Sequence, residues 1–195
     1  GVSGINGVEW DAVELPSQFM ENWCWQREAL NLFARHYQTG EVMPEDLFNR
    51  MNAAKNFQSG MQMVRQLEFA LFDFRLHLEY STEVETDIDK LLNEVREQVA
   101  VLFPPEYNSF ANSFTHIFAG GYAAGYYSYK WAEVLSSDAF SAFEESGIFD
   151  RDTGLRFLHI VLEQGGSREA MDLFVEFRGR EPDIDALLRH TGIAA

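Results

Sequence analysis

The chain has 195 residues, enough for one ordinary domain or a portion of a larger one. Hydrophobic residues make up 46% and aromatics 14%, which excludes a disordered or collagen-like segment. The balance of 15 basic against 31 acidic residues, a formal charge of −16, argues against nucleic acid and anionic membrane as partners.

Helical periodicity dominates from about residue 11. Phe19, Trp23, Leu30 and Phe33 keep roughly one face before Gly40, which reads as a stop signal. Pro16 removes an early backbone donor and fits only near a first turn. Cys24, between two tryptophans, reads as a buried apolar thiol; as the sole cysteine it excludes an internal disulfide framework and a four-cysteine zinc site. Pro44 opens a second helix with Glu45 and Asp46 in its first turn. Met61, Val64, Leu67, Leu71 and Phe74 predict one long amphipathic helix from Asn56 to about Leu78.

Ser81 to Asp89 reads as a turn. Ile88, Leu91, Leu92, Val95 and Val99 mark the next helix, which Pro104-Pro105 ends. Residues 106–119 read as irregular. A helix is expected from about Tyr122 to Ser146, then a shorter one after Asp152. Ser167 is expected to cap the next, and Pro182 to start a last short one toward His190. No alternating strand and no internal repeat is evident, so the class is all-α. No apolar run reaches the ~20 residues of a membrane span, and a soluble, reducing, cytoplasmic setting is expected. The start at Gly1, without Met and with three glycines in seven residues, suggests a piece of a longer protein.

Two stretches carry residue types suited to chemistry. In Asp11-Ala-Val-Glu14-Leu-Pro-Ser-Gln-Phe-Met-Glu21, helical spacing would put Asp11, Glu14 and Glu21 on one stripe. Such carboxylates either face solvent or gather around a cation or strong donors. In the stretch from Ser113 to Trp131, Tyr122, Tyr126 and Tyr129 follow i, i+4, i+7, whereas Tyr127 is rotated away by about 100°. Their hydroxyls read either as an aromatic core stripe reaching solvent or as donors to a carbonyl and the oxyanion developing on it. Ala123, Ala124 and Gly125 permit close approach to the backbone, and Gly120-Gly121 permits a loop that meets an extended ligand. Asp73 and His77, at i, i+4, read as a solvated pair, and His36, His159 and His190 as structural. Nucleotide-binding glycine motifs, a Gly-x-Ser-x-Gly elbow and H-E-x-x-H are all absent from the sequence.

The run from Trp10 to Trp23 resembles the zinc-site segment of the thimet oligopeptidase family, especially its bacterial branch. The likeness continues through Leu67–Arg75, through His116-Ile-Phe-Ala-Gly-Gly-Tyr-Ala-Ala-Gly-Tyr-Tyr127, and through Phe177-Arg-Gly-Arg-Glu-Pro182, and it covers essentially the whole chain. It implies the all-α, C-terminal part of a zincin-type catalytic domain, whose parent is a zinc-dependent endopeptidase acting on short peptides. By that resemblance Glu14 is the third zinc ligand, and Asp11 and Glu21 orient a ligand histidine or balance charge. His116, Tyr122 and Tyr129 take catalytic positions, while Gly120, Gly121 and Tyr126 bind substrate. The H-E-x-x-H segment, with two histidine ligands and the general base, is expected just upstream of Gly1, in a missing N-terminal part of the same protein. The piece alone is therefore expected to hold no catalytic zinc and to cleave nothing. The competing reading is a non-catalytic acidic helical module that binds partner proteins through an aromatic groove.

Overall fold

The computed structural model describes residues 3–83 and 86–194, so Gly1, Val2 and part of the 81–89 turn lie outside it. Eleven α-helices account for most of the described chain, and among the described residues the sole strand-like pairing is an isolated antiparallel bridge between Arg35 and Val42. The class is all-α. The helices are α1 (Leu15–Glu21), α2 (Arg27–Phe33), α3 (Glu45–Lys55), α4 (Ser59–Glu79), α5 (Ile88–Val99), α6 (Phe110–Ser113) and α7 (Thr115–Phe118). They continue as α8 (Ser128–Ser146), α9 (Arg151–Phe157), α10 (Ala170–Arg178) and α11 (Asp185–His190). Two compact units emerge: a terminal unit, Gly1–Ser59 with Trp131–Ala195, and a central unit, Gly60–Lys130.

The terminal unit packs around Phe19, which stacks on Phe157 at 3.9 Å between ring centroids. Trp23 meets Phe140 and Phe143 edge-on at 4.8 and 5.0 Å, and its indole N–H donates to the Ile148 carbonyl at 2.8 Å. Each of the buried phenylalanines Phe19, Phe140, Phe143 and Phe157 contributes roughly 1.5–3 kcal/mol, and Trp23 packs against them partly buried. Pro16 falls within the first two positions of α1, where a missing donor is harmless, and this delays the helix start to Leu15. Asp11 therefore lies in a turn, and the three-acid helical stripe is not formed as expected.

Cys24 is exposed, not buried: it sits in the 3₁₀ turn Asn22–Trp25, where Trp23 takes the inward direction. Phe33 is also exposed, because α2 buries only Ala29 and Leu30. Ser167 belongs to a separate 3₁₀ turn and does not cap α10. The Ala170 N–H at that helix start donates instead to the Glu9 carboxylate at 2.7 Å, a charge placed well against the helix dipole. A Cβ at Gly166 would fall 1.8 Å from the Gly7 carbonyl oxygen, so only glycine permits this crossing of the N-terminal segment.

In the central unit, Phe72, Leu76, Leu91, Leu92, Val95, Phe114 and Ile117 form the core. Asp87 caps α5 by accepting from the Lys90 N–H at 2.9 Å. The buried face of α4 differs from the apolar stripe in the sequence. It carries Glu68, Phe72, Asp73 and Leu76, whereas Leu67 and Phe74 are 44% and 43% exposed. Two acids can occupy that face because both are satisfied. Glu68 accepts from Arg65 at 2.7 Å and from buried Arg96 at 3.0 Å.

Candidate active site

Each unit holds one candidate stretch. In the terminal unit, Glu14 is the residue from which α1 springs, with φ −92° and ψ 0°. Ala12, Leu15 and Phe19 around it are buried and fix the local backbone. The half-buried Glu14 side chain accepts from the Ser17 hydroxyl at 2.7 Å through Oε2. Its carbonyl receives the same hydroxyl at 3.0 Å and the Gln18 N–H at 3.1 Å. The carboxylate is thus held at a helix start with a defined orientation. Asp11 is half-buried in the preceding turn, and Glu21 is exposed as the last residue of α1.

A carboxylate oxygen is a normal zinc donor, so Glu14 suits one position of a three-ligand site. Among the described residues no group of three or more His, Cys, Asp or Glu side chains comes together that could hold a metal. A complete zinc site built on Glu14 needs further ligands from outside these residues.

In the central unit the tyrosine stretch is not a helix over residues 122–127. Gly121, at φ +87°, and Ala124, at φ +54°, occupy the left-handed region and hold the chain in turns until α8 begins at Ser128. Residues 110–118, read as irregular, form instead the two short helices α6 and α7. Gly120 is required where it stands: a Cβ there would meet the His116 Cα at 2.9 Å and the His116 carbonyl oxygen at 3.0 Å. The Tyr122 N–H donates to that same carbonyl at 3.0 Å, which closes the loop onto α7.

Turns, not a shared helical face, gather the rings. Tyr122 stacks on Tyr129 at 5.1 Å, and Tyr126 lies 5.1 Å from Tyr129. The His116 ring is edge-on to Tyr122, Tyr126 and Tyr129 at 6.3, 5.8 and 6.1 Å. Tyr127 points elsewhere and stacks on Phe74 at 5.2 Å. The Tyr126 hydroxyl donates to Gln66 Oε1 at 3.0 Å. Burial, and secondarily the neighbouring Tyr129, push its pKa up to about 12 against a small opposing pull from Arg65. At neutral pH that phenol is a hydrogen-bond donor.

The residue that sequence reading missed is Asp73. Read there as half of a solvated pair, it is 1% exposed and points into this loop. Its signal in the sequence was an acid embedded in Phe-Ala-Leu-Phe-Asp-Phe, an apolar context that a solvated carboxylate does not favour.

Comparison with known proteins completes this description. The model for Peptidase family M3 matches residues 1–193. Oligopeptidase A of Escherichia coli (strain K12) is 60% identical over 193 residues, covering 99% of this chain and 28% of that protein. Probable cytosolic oligopeptidase A of Arabidopsis thaliana is 52% identical over 198 residues, covering 100% of this chain and 28% of that protein. Dipeptidyl carboxypeptidase of Escherichia coli (strain K12) is 39% identical over 197 residues, with 98% and 28% covered. The chain thus spans little more than a quarter of the length of these relatives.

Proposed function

Because the chain belongs to peptidase family M3, we propose that it is part of a zinc-dependent, oligopeptidase A-like metalloendopeptidase that hydrolyses short peptides in the cytoplasm. The single observation that supports this most is the ring cluster of His116, Tyr122, Tyr126 and Tyr129, which brings three tyrosine rings within 5.8–6.3 Å of one imidazole. Glu14 supplies one carboxylate ligand to the metal, and the other ligands and the general base come from the part of the enzyme outside this chain. When bound, zinc polarises the scissile carbonyl and makes water a nucleophile near neutral pH. Asp11 and Glu21 orient a ligand histidine and balance charge around Glu14.

Tyr122 and Tyr129 donate to the substrate carbonyl and to the oxyanion that develops on it, with His116 beside them. A preorganised donor of this kind is worth about 2.7–4 kcal/mol in the transition state. Tyr126, Gly120 and Gly121 hold the extended peptide, with backbone groups of the glycine turn available to its main chain.

The test is cleavage of an internally quenched fluorescent peptide by the complete enzyme, with and without zinc. Zinc-dependent turnover that falls at least about 100-fold in Glu14→Ala is expected, since loss of a metal ligand exceeds the 10–100-fold typical of a residue behind one. The 195-residue chain alone is expected to show no turnover. Zinc-independent cleavage, or full activity of Glu14→Ala, contradicts the proposal, and a complete protein that cleaves no peptide with or without zinc returns the acidic interaction module to favour.

A further inference from the structure

Helix α4 delivers a buried charge to the backbone of the tyrosine loop. Asp73 Oδ1 accepts from the Ala124 N–H at 2.9 Å, and Oδ2 accepts from the Tyr126 N–H at 2.9 Å. His77 Nδ1 lies 2.9 Å from Asp73 Oδ1 and 2.8 Å from the Asp73 carbonyl oxygen. Both of those partners are acceptors, so Nδ1 carries the proton. Three donors from two segments therefore converge on one carboxylate.

The residue pinned between them is the informative one. Ala124, at φ +54°, occupies a backbone region that an L-residue with a Cβ adopts only where its surroundings enforce it. Here the enforcing group is Asp73, because its two oxygens fix the amides on either side of Gly125. Each oxygen takes a different amide, so an asparagine would set an NH2 donor against one of the two N–H groups and lose that bond. The tyrosines that gather around His116 flank this segment: Tyr122 precedes Ala124 by two residues, Tyr126 donates one of the two amides, and Tyr129 follows Ala124 by five.

From this geometry we infer that Asp73 is a positioning residue for peptide hydrolysis: it fixes the left-handed turn at Ala124, and through it the placement of the Tyr122, Tyr126 and Tyr129 hydroxyls. Its carboxylate meets two backbone amides and the His77 imidazole, so it acts through the loop and not on substrate. The inference rests on the reading of those tyrosines as peptide-hydrolysing groups, and its test separates the two.

In the complete enzyme, Asp73→Asn is expected to lower kcat by about 10²-fold, the usual consequence of displacing a reacting group by an ångström, with KM little changed. Adding Ala124→Gly, which adopts the left-handed region without steric cost, should recover about tenfold of that loss. A role confined to fold stability predicts no such rescue. Ala124→Val disturbs the same turn from its exposed side with Asp73 intact, and keeps the test alive if Asp73→Asn fails to fold. It is expected to lower kcat in an enzyme that still folds, with a reduced urea midpoint because a β-branched residue at φ +54° is strained. Hydrogen exchange on the 195-residue chain supplies a readout independent of activity. Deuterium uptake over residues 120–129 should rise in Asp73→Asn while α5 keeps its protection. Wild-type kcat in Asp73→Asn or Ala124→Val, a loss that Ala124→Gly does not relieve, or unchanged loop exchange overturns the inference. If the wild-type enzyme cleaves no peptide, the peptidase reading fails, and loop exchange alone decides whether Asp73 holds the turn.

Discussion

Asp138 in the terminal unit and Asp73 in the central unit are both sealed from solvent, at 0% and 1% exposure, yet they are neutralised in different ways. Asp138 receives formal positive charge: Arg178 Nε at 3.1 Å and the Arg180 guanidinium through two contacts of 2.6 Å, with the Asp183 N–H adding a fourth bond at 2.8 Å. Arg178 continues to Glu145 at 2.9 Å, so the cluster ties α8 to the end of α10 and the segment beyond it. Asp73 receives dipoles, two backbone amides and an imidazole N–H, all converging on one loop. The first arrangement ties helix α8 to the end of α10 and to the short irregular segment that follows it. The second gives a defined shape to six residues that no helix or strand would hold. A buried charge surrounded by arginines reads as a clamp, whereas one surrounded by loop amides reads as a template for whatever the loop carries.

Removing each carboxylate sharpens that contrast. Asp138→Ala leaves the buried Arg178 side chain with Glu145 as its remaining acid and strips Arg180 of its salt-bridge partner, and is expected to cost about 3–5 kcal/mol. Asp73→Asn leaves a neutral amide poorly paired and should cost only about 1–3 kcal/mol. Urea unfolding reads both, because the four tryptophans lie in the terminal unit and six of the seven tyrosines in the central one. Tryptophan fluorescence follows the first variant and tyrosine near-ultraviolet circular dichroism the second. Equal costs would break the distinction.

A smaller effect concerns Tyr126, whose pKa stands at about 12 in the folded chain against an ordinary 10.0. The folded state holds this proton more tightly than the unfolded one. Its contribution to stability is therefore complete below pH 10 and is lost as pH rises through 12. Phenolate absorbance should show one tyrosine titrating near pH 12 that vanishes in Tyr126→Phe. Uniform titration of all seven near 10 would contradict the packing of this ring.

Much of the architecture was legible in the sequence, because helical repeats, the prolines at 16, 44, 104 and 105, and Gly147 act locally. The long helix α4 was predicted within a few residues, but its buried face was displaced. Apolar periodicity selected Leu67 and Phe74, while the true interior is completed by Glu68 and Asp73, whose partners come from residues far along the chain. Periodicity cannot register a buried acid, since what makes it tolerable is non-local. The same blindness extended a helix backward to Tyr122. Tyrosines at i, i+4 and i+7 look helical, and only the left-handed Gly121 and Ala124, the latter held by distant Asp73, show otherwise. Cys24 failed for a simpler reason: its tryptophan neighbour Trp23 occupies the inward direction in a short 3₁₀ turn.

The account depends above all on a tyrosine hydroxyl from the His116 cluster stabilising the developing oxyanion. Steady-state kinetics of Tyr129→Phe in the complete enzyme measures this directly, because the change deletes one oxygen and keeps the ring. The account predicts a fall in kcat of about 10²–10³-fold with little change in KM. A Tyr129→Phe enzyme that turns over at the wild-type rate, with Tyr122→Phe equally unaffected, would contradict it.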